Sequence, residues 1–172
     1  MKSLIRKKCL CCNNKNLKEI INLGSHSFAD RFIPKSKLKF NDPQYPLILD
    51  LCDKCKYVQS RHITSPKNRY VSIDYSYTSS NSNYSKNHWI DFASSLEKKT
   101  KLQNKKIIEI GSNDGFLSYQ LKKKGAQVLG VDASEFMVKL SKKKINAIQS
   151  IFTLKESRKI KKLFGEADII IA

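Results

Sequence analysis

Residues 107–117 read Ile107-Ile108-Glu109-Ile110-Gly111-Ser112-Asn113-Asp114-Gly115-Phe116-Leu117, and the reading of this stretch decides the fold. Ile107, Ile108 and Ile110 make the short apolar run of a buried strand. Glu109 sits at the end of that run, two glycines four residues apart follow, and an apolar segment beginning at Phe116 reads as a helix. A second strand, Val128-Leu129-Gly130-Val131, then closes on Asp132. Strand, glycine turn, helix, strand and acid make a βαβ unit, an arrangement that holds a nucleoside at the carboxyl ends of its strands.

The details favour S-adenosylmethionine over a dinucleotide. A dinucleotide fingerprint, G-x-G-x-x-G, would place glycine where this chain has Asn113. Its glycines let the backbone approach a pyrophosphate on a helix N-terminus. Here the pattern is E-x-G-x-x-x-G, and adenosylmethionine has no pyrophosphate but an ammonium, a carboxylate and a sulfonium. Glu109, together with Asp114, suits the positive end. Gly111 and Gly115 keep side chains out of the space the ligand needs. Asp132 can accept hydrogen bonds from both ribose hydroxyls. The expected cofactor contacts are Glu109, Gly111, Ser112, Asn113, Asp114, Gly115, Asp132, Ala133 and Ser134. The glycines alone would equally suit any αβ domain with a glycine turn; the placement of Asp132 separates the two readings.

With 172 residues the chain can hold one domain or one and a half. It has no run of about 18 apolar residues for a membrane span and no apolar core of a secretory signal near its start. A cytoplasmic protein is the default expectation, with its five cysteines reduced. The net charge of +18 invites a nucleic-acid reading. Only five of the 33 basic residues are arginine, however, and the lysines fall in scattered clusters at ends of predicted helices. There they complement helix dipoles. No stripe of aromatics beside arginine offers stacking for bases, so nucleic acid is not the expected partner.

Residues 1–70 are rich in turn signals and lack helical periodicity, with short apolar runs such as Leu47-Ile48-Leu49 reading as strands. Such a segment cannot build a large apolar core. Cys9-x-x-Cys12 and Cys52-x-x-Cys55 supply the staple: four thiolates around one structural Zn²⁺, with no open position for chemistry. Cys11 makes the first motif C-x-C-C and permits a slipped pairing. The two-residue gap of the second motif favours Cys9 and Cys12. Neither pair precedes a helix in a thioredoxin-like setting, which argues against redox chemistry.

Residues 71–103 read as a tyrosine-rich connector followed by a helix from about His88, with Trp89, Phe92, Ala93 and Leu96 on its apolar face. Residues 104–172 hold the βαβ unit. Ser134 caps a following helix; a strand near Ile148, a helix over 153–164 and a strand near Ile169, running to Ala172, come next. The expected class is α/β: a small irregular, β-containing zinc domain (1–70), the connector (71–103), and the N-terminal half of a Rossmann-like class I methyltransferase sheet (104–172).

The sequence resembles the sugar C-methyltransferases of deoxysugar biosynthesis. Leu23-Gly24-Ser25-His26-Ser27-Phe28-Ala29-Asp30 is similar to that family's L-G-x-x-P-x-A-N, departing at Ser27 and Asp30. Tyr45-Pro46-Leu47, then Cys52 through Gln59, matches Y-P-L followed by C-x-x-C-x-x-V-Q. Tyr75-Ser76-Tyr77-Thr78-Ser79-Ser80-Asn81-Ser82 matches Y-x-Y-x-S-S-x-S, and the methyltransferase loop and ribose turn follow in order. The resemblance implies a zinc domain, a Rossmann-like methyltransferase domain and a further C-terminal domain. It implies methylation of a nucleotide-linked 4-keto sugar at the carbon beside its carbonyl, with Tyr75 or Tyr77 facing the active site as candidate catalytic residues. The family's principal acid–base candidates, a His and a Glu, are expected downstream of Ala172. A chain ending at Ala172 is therefore expected not to methylate sugars alone, and to associate through the apolar strand near Ile169. Two further readings stand beside this one: an RNA methyltransferase gripping RNA with a zinc module and basic surface, and a non-catalytic zinc- and nucleoside-binding protein.

Overall fold

The chain folds as two units, 1–69 and 70–172. The computed structural model describes residues 4–29, 35–37, 42–71 and 77–172.

In the first unit, β1 (Leu4–Ile5) pairs antiparallel with β5 (His62–Ile63), while β2 (Leu17–His26), β3 (Tyr45–Cys52) and β4 (Val58–Ser60) form an antiparallel sheet in the order β2-β3-β4. The β2–β3 ladder runs from Leu17 opposite Cys52 to His26 opposite Tyr45, with two register shifts. The expectation of an irregular segment with short strands understates this hairpin. The reason lies in β2, where Ile20, Ile21 and Leu23 are all exposed. No face of β2 is buried, so its apolar residues need not alternate, and alternation is the signal by which a half-buried strand is recognised.

The second unit is built on a parallel sheet. Its elements are α1 (Asn83–Thr100), β6 (Lys106–Ile110), α2 (Phe116–Lys123), β7 (Gln127–Asp132), α3 (Glu135–Ser141), β8 (Asn146–Gln149), α4 (Leu154–Phe164) and β9 (Ile169–Ile171). All four strands expected near Ile107, Val128, Ile148 and Ile169 form, in the order β8-β7-β6-β9 and parallel throughout. The last of them is shorter than the sequence suggests: β9 closes at Ile171, and Ala172 follows it as an exposed residue outside the ladder. The register accounts for this, since the pairing of β9 with β6 runs only from Ile169 opposite Ile107 to Ile171 opposite Glu109. Parallel neighbours need long crossovers, and α2, α3 and α4 supply them. The chain steps from β6 out to β8, then returns to the other side of β6 to place β9. Strand order thus reverses at β6, where open α/β sheets bind ligands at their carboxyl ends.

Period-2 alternation sends neighbouring residues of β6 to opposite faces. Ile107 joins Ala93, Leu102, Leu117, Leu121, Val128 and Ile145 in one apolar cluster, with Trp89 packed against it. Ile108 joins Leu129, Val131 and Ile160 in the other. Around β6 and β7 the sheet is therefore covered on both faces, as parallel sheets require, whereas at the edge strand β9 Ile170 stays exposed. Helix α1 begins five residues before the expected start at His88, because Ser82 caps it: its hydroxyl accepts from the Ser85 N–H at 3.1 Å. Lysines occupy the last turns of α1, α2, α3 and α4, where they oppose the helix dipole. Among the described residues no helix is long and apolar enough to cross a membrane.

Candidate functional site

The two C-x-x-C knuckles fold alike. Each turns back on its first cysteine, with Asn13 N–H donating to the Cys9 carbonyl at 3.0 Å and Lys56 N–H to the Cys52 carbonyl at 2.9 Å. Asn13 and Lys56 occupy equivalent positions and both take the left-handed conformation, at φ 59° and 61°. The turns bring the sulfurs of Cys9, Cys12, Cys52 and Cys55 within 4.8 Å of one another. Cys9 lies 3.5 Å from Cys55 and Cys12 lies 3.6 Å from Cys52. Four sulfurs about 2.3 Å from a tetrahedral Zn²⁺ would be about 3.8 Å apart, so the spacing fits that ion. Cys11 stands outside the cluster with its thiol exposed, although its N–H points at Cys9 Sγ from 3.4 Å.

Crowding splits the acidities of these thiols. The Cys55 backbone N–H leads the groups that draw Cys52 down to about 6. The Tyr57 backbone N–H pulls Cys55 the same way, but burial and the neighbouring thiols outweigh it and push Cys55 up to about 12. Cys55 in such a cluster holds its proton unless a cation replaces it, which is the usual linkage of metal binding to proton release. Gln59 anchors the first knuckle to β4: its Oε1 accepts from Leu10 N–H at 2.9 Å and its Nε2 donates to the Lys8 carbonyl at 3.1 Å.

In the second unit the loop after β6 is tied to the tip of β7. Gly111 N–H donates to the Val131 carbonyl at 2.7 Å. The Asp132 carboxylate is held by two backbone donors, Asn113 N–H on Oδ2 and Ser134 N–H on Oδ1, each at 2.8 Å. Ser134 also caps α3, and the Ala133 carbonyl accepts from Gln149 Nε2 at 3.2 Å. Fixed in this way, Asp132 can serve as acceptor for a pair of neighbouring hydroxyls.

The two glycines matter for different reasons. Gly111 has φ +75° and open space where a Cβ would stand, whereas at Gly115, with φ +73°, a Cβ would meet Ser141 Oγ at 2.9 Å and Ile145 at 3.2 Å. Gly111 keeps the mouth of the loop clear; Gly115 lets the loop lie on its own fold. Ser112 is buried beneath the loop, its hydroxyl without a partner among the described residues.

The acids of the loop turn inward. Glu109 is buried and its Oε2 accepts from both Ser118 N–H (3.1 Å) and Ser118 Oγ (2.6 Å). Burial pushes Glu109 up to about 7 against those two donors. Asp114 is buried as well and accepts from Ser79 Oγ at 2.5 Å and from Ser80 Oγ. Burial would raise its pKa; the two hydroxyls and Lys144, 3.5 Å away, more than offset this and leave it lowered. Asn113, at φ 50°, completes the clasp. Its Oδ1 accepts from Ser79 N–H and its Nδ2 donates to the Tyr77 carbonyl, both at 2.8 Å. Asn113 and Asp114 therefore hold the segment 77–80 against the loop.

Tyr77 is about half exposed, while Tyr75 and Asp30 lie outside the described residues. Ser79, Ser80, Lys144 and Ser118 belong to this site without being singled out by the sequence. The serines sit in the Y-x-Y-x-S-S motif, which carried a signal. Lys144 is hidden in a three-lysine run that reads as solvated surface, and Ser118 reads as an ordinary helix residue.

The second unit carries the glycine loop of a Rossmann-like parallel sheet, and the first carries a four-cysteine cluster. Residues 9–70 match the family model Methyltransf_13, described as "Putative zinc binding domain". No curated protein matches the chain. Among solved structures, the chain is similar to magnesium protoporphyrin IX methyltransferase from Synechocystis PCC 6803. With bound SAH, that enzyme shows 20% identity and a TM-score of 0.39 over 49% of this chain and 40% of the other. With bound SAM, the values are 21% and 0.36 over 38% and 36%. The PH0226 protein of Pyrococcus horikoshii OT3 is 24% identical with a TM-score of 0.38, over 44% of this chain and 38% of its own. The chain thus matches well under half the length of each of these proteins.

Proposed function

We propose that this chain carries the methyl-donor site of an S-adenosylmethionine-dependent C-methyltransferase acting on a nucleotide-linked keto sugar, with structural zinc in its first unit. The observation that carries the reading is the Asp132 carboxylate, pinned by Asn113 and Ser134 N–H beside the cleared mouth at Gly111. The open Cβ position of Gly111 and the acceptor geometry of Asp132 fit a nucleoside bearing a small zwitterionic chain. Asp132 would hold its ribose, and the loop 111–115 with Ala133 and Ser134 would border it. Bound there, adenosylmethionine supplies an electrophilic methyl group on a sulfonium.

The remaining work belongs to the chain. Asn113 and Asp114 hold the Tyr77 segment on the cofactor loop, so the residues that lead out of the tyrosine motif are positioned by the donor site itself. Tyr77 and Tyr75 stay the candidates for handling the proton lost from the carbon beside the ketone, a task that requires hydrogen-bond reach of that carbon. The sugar reading is supported by the ordered motifs from Cys9 to Ser134. A calorimetric titration tests it. The zinc-loaded chain saturated with adenosylhomocysteine is expected to bind nucleotide-linked 4-keto sugars, and to show no steeply salt-dependent binding of RNA. Strong, salt-sensitive RNA binding with indifference to nucleotide sugars would replace this reading with an RNA methyltransferase.

A further inference from the structure

The first unit has a second feature apart from its cysteines: a cavity of about 440 Å³ whose wall includes Arg6, His26, Phe28, Tyr45, His62 and Arg69. It forms where strand ends converge. Arg6 follows β1, His26 ends β2, Tyr45 opens β3 and His62 opens β5. Phe28 and Tyr45 stack at 4.6 Å with their planes 21° apart, and the Arg69 guanidinium lies 5.5 Å over the Phe28 ring. Among the described residues no aspartate or glutamate lines the cavity.

Arg6 is the decisive residue. Its Nε is buried and has no hydrogen-bond partner among the described residues. A buried donor of a charged group left without an acceptor is costly, and native interiors rarely leave one. Arg6 also lines the cavity, so an anion there would meet the rest of its guanidinium fork. Guanidinium presents its donors as a planar fork that matches phosphate oxygens. The volume exceeds what a lone phosphate fills and lies in the range of small-molecule sites, and one wall is aromatic.

We propose that this cavity binds a diphosphate-bearing ligand, with Arg6 donating to its oxygens and Arg69 on the aromatic stack contributing a second cation. Taking that ligand to be the nucleotide end of the sugar substrate rests on the function proposed above; the anion site itself does not.

The test is titration of the zinc-loaded 172-residue chain with uridine diphosphate and, separately, inorganic pyrophosphate. Arg6→Ala is expected to weaken both at least tenfold and Arg6→Lys to weaken them less. Zinc content and adenosylhomocysteine affinity are expected to stay as in the parent chain. Tighter binding of the nucleotide assigns the source to a nucleotide, and equal binding to a bare diphosphate. If Arg6→Ala loses zinc, the more exposed Arg69→Gln decides, with a severalfold loss expected. Absence of binding by both probes, or affinities indifferent to Arg6 and Arg69, overturns the proposal. Arg6-dependent diphosphate binding in a chain that does not bind adenosylhomocysteine leaves this site standing and removes the methyl-transfer reading.

Discussion

The two units solve the problem of stability in different ways. Among the described residues, the first buries only Cys9, Tyr45 and Cys52 as apolar side chains, while the second buries fifteen. What the first unit lacks in core it replaces with directed interactions. Arg61 grips the buried Asp50 with Nε and Nη2, the latter at 2.6 Å, and reaches Glu19 with Nη1 at 2.7 Å. The four sulfurs close the rest. The second unit instead covers both faces of its central strands β6 and β7. The contrast predicts that the first unit's fold depends on its metal and the second's does not.

The largest expected effect breaks the first unit alone. Removing zinc with a chelator, or Cys52→Ser, should cost on the order of 10 kcal/mol of metal-linked folding energy. Amide exchange should then accelerate across the first unit and stay slow in β6 and β7. Leu121→Ala is the converse. That side chain is fully buried, and its truncation should destabilise the second unit by roughly 2–5 kcal/mol with zinc content unchanged, as denaturant unfolding and elemental analysis would read.

A smaller effect distinguishes the units by pH. Folded Glu109 sits near 7, against an ordinary value of 4.5. The folded state therefore holds the proton more tightly. The contribution of Glu109 to the second unit's stability should be fully present below about 4.5 and be lost as pH rises through 7, by on the order of 1–3 kcal/mol, while the lowered Asp114 contributes in the opposite sense, its share being lost toward acid pH. Glu109→Gln should flatten that decline in urea unfolding measured across the range. The smallest effect is Cys11→Ser, expected to change stability by less than about 0.5 kcal/mol and to leave zinc in place.

The same contrast explains what could be read in advance. The parallel sheet was legible because β6 and β7 are continuous apolar runs punctuated by Gly111, Gly115 and Asp132. The metal cluster was legible because cysteine spacing is a direct statement of geometry. The β2–β3 hairpin was not, since a strand exposed on both faces carries no alternation. The inward turn of Glu109 and Asp114 was hidden too. Sequence places an acid at a loop but not its partners, and Ser118, Ser79, Ser80 and Lys144 come from other segments. Helix α1 was legible only where it packs; its first turn, Asn83 to Lys86, is polar and set by the Ser82 cap.

The proposed donor site is tested most directly by calorimetric titration of the chain with adenosylhomocysteine. One site per chain is predicted, lost in Gly111→Val and weakened in Asp132→Ala by roughly 10–100-fold, the worth of hydrogen bonds to a charged acceptor. Unchanged affinity in both variants, no binding at all, or preference for NAD would contradict the account.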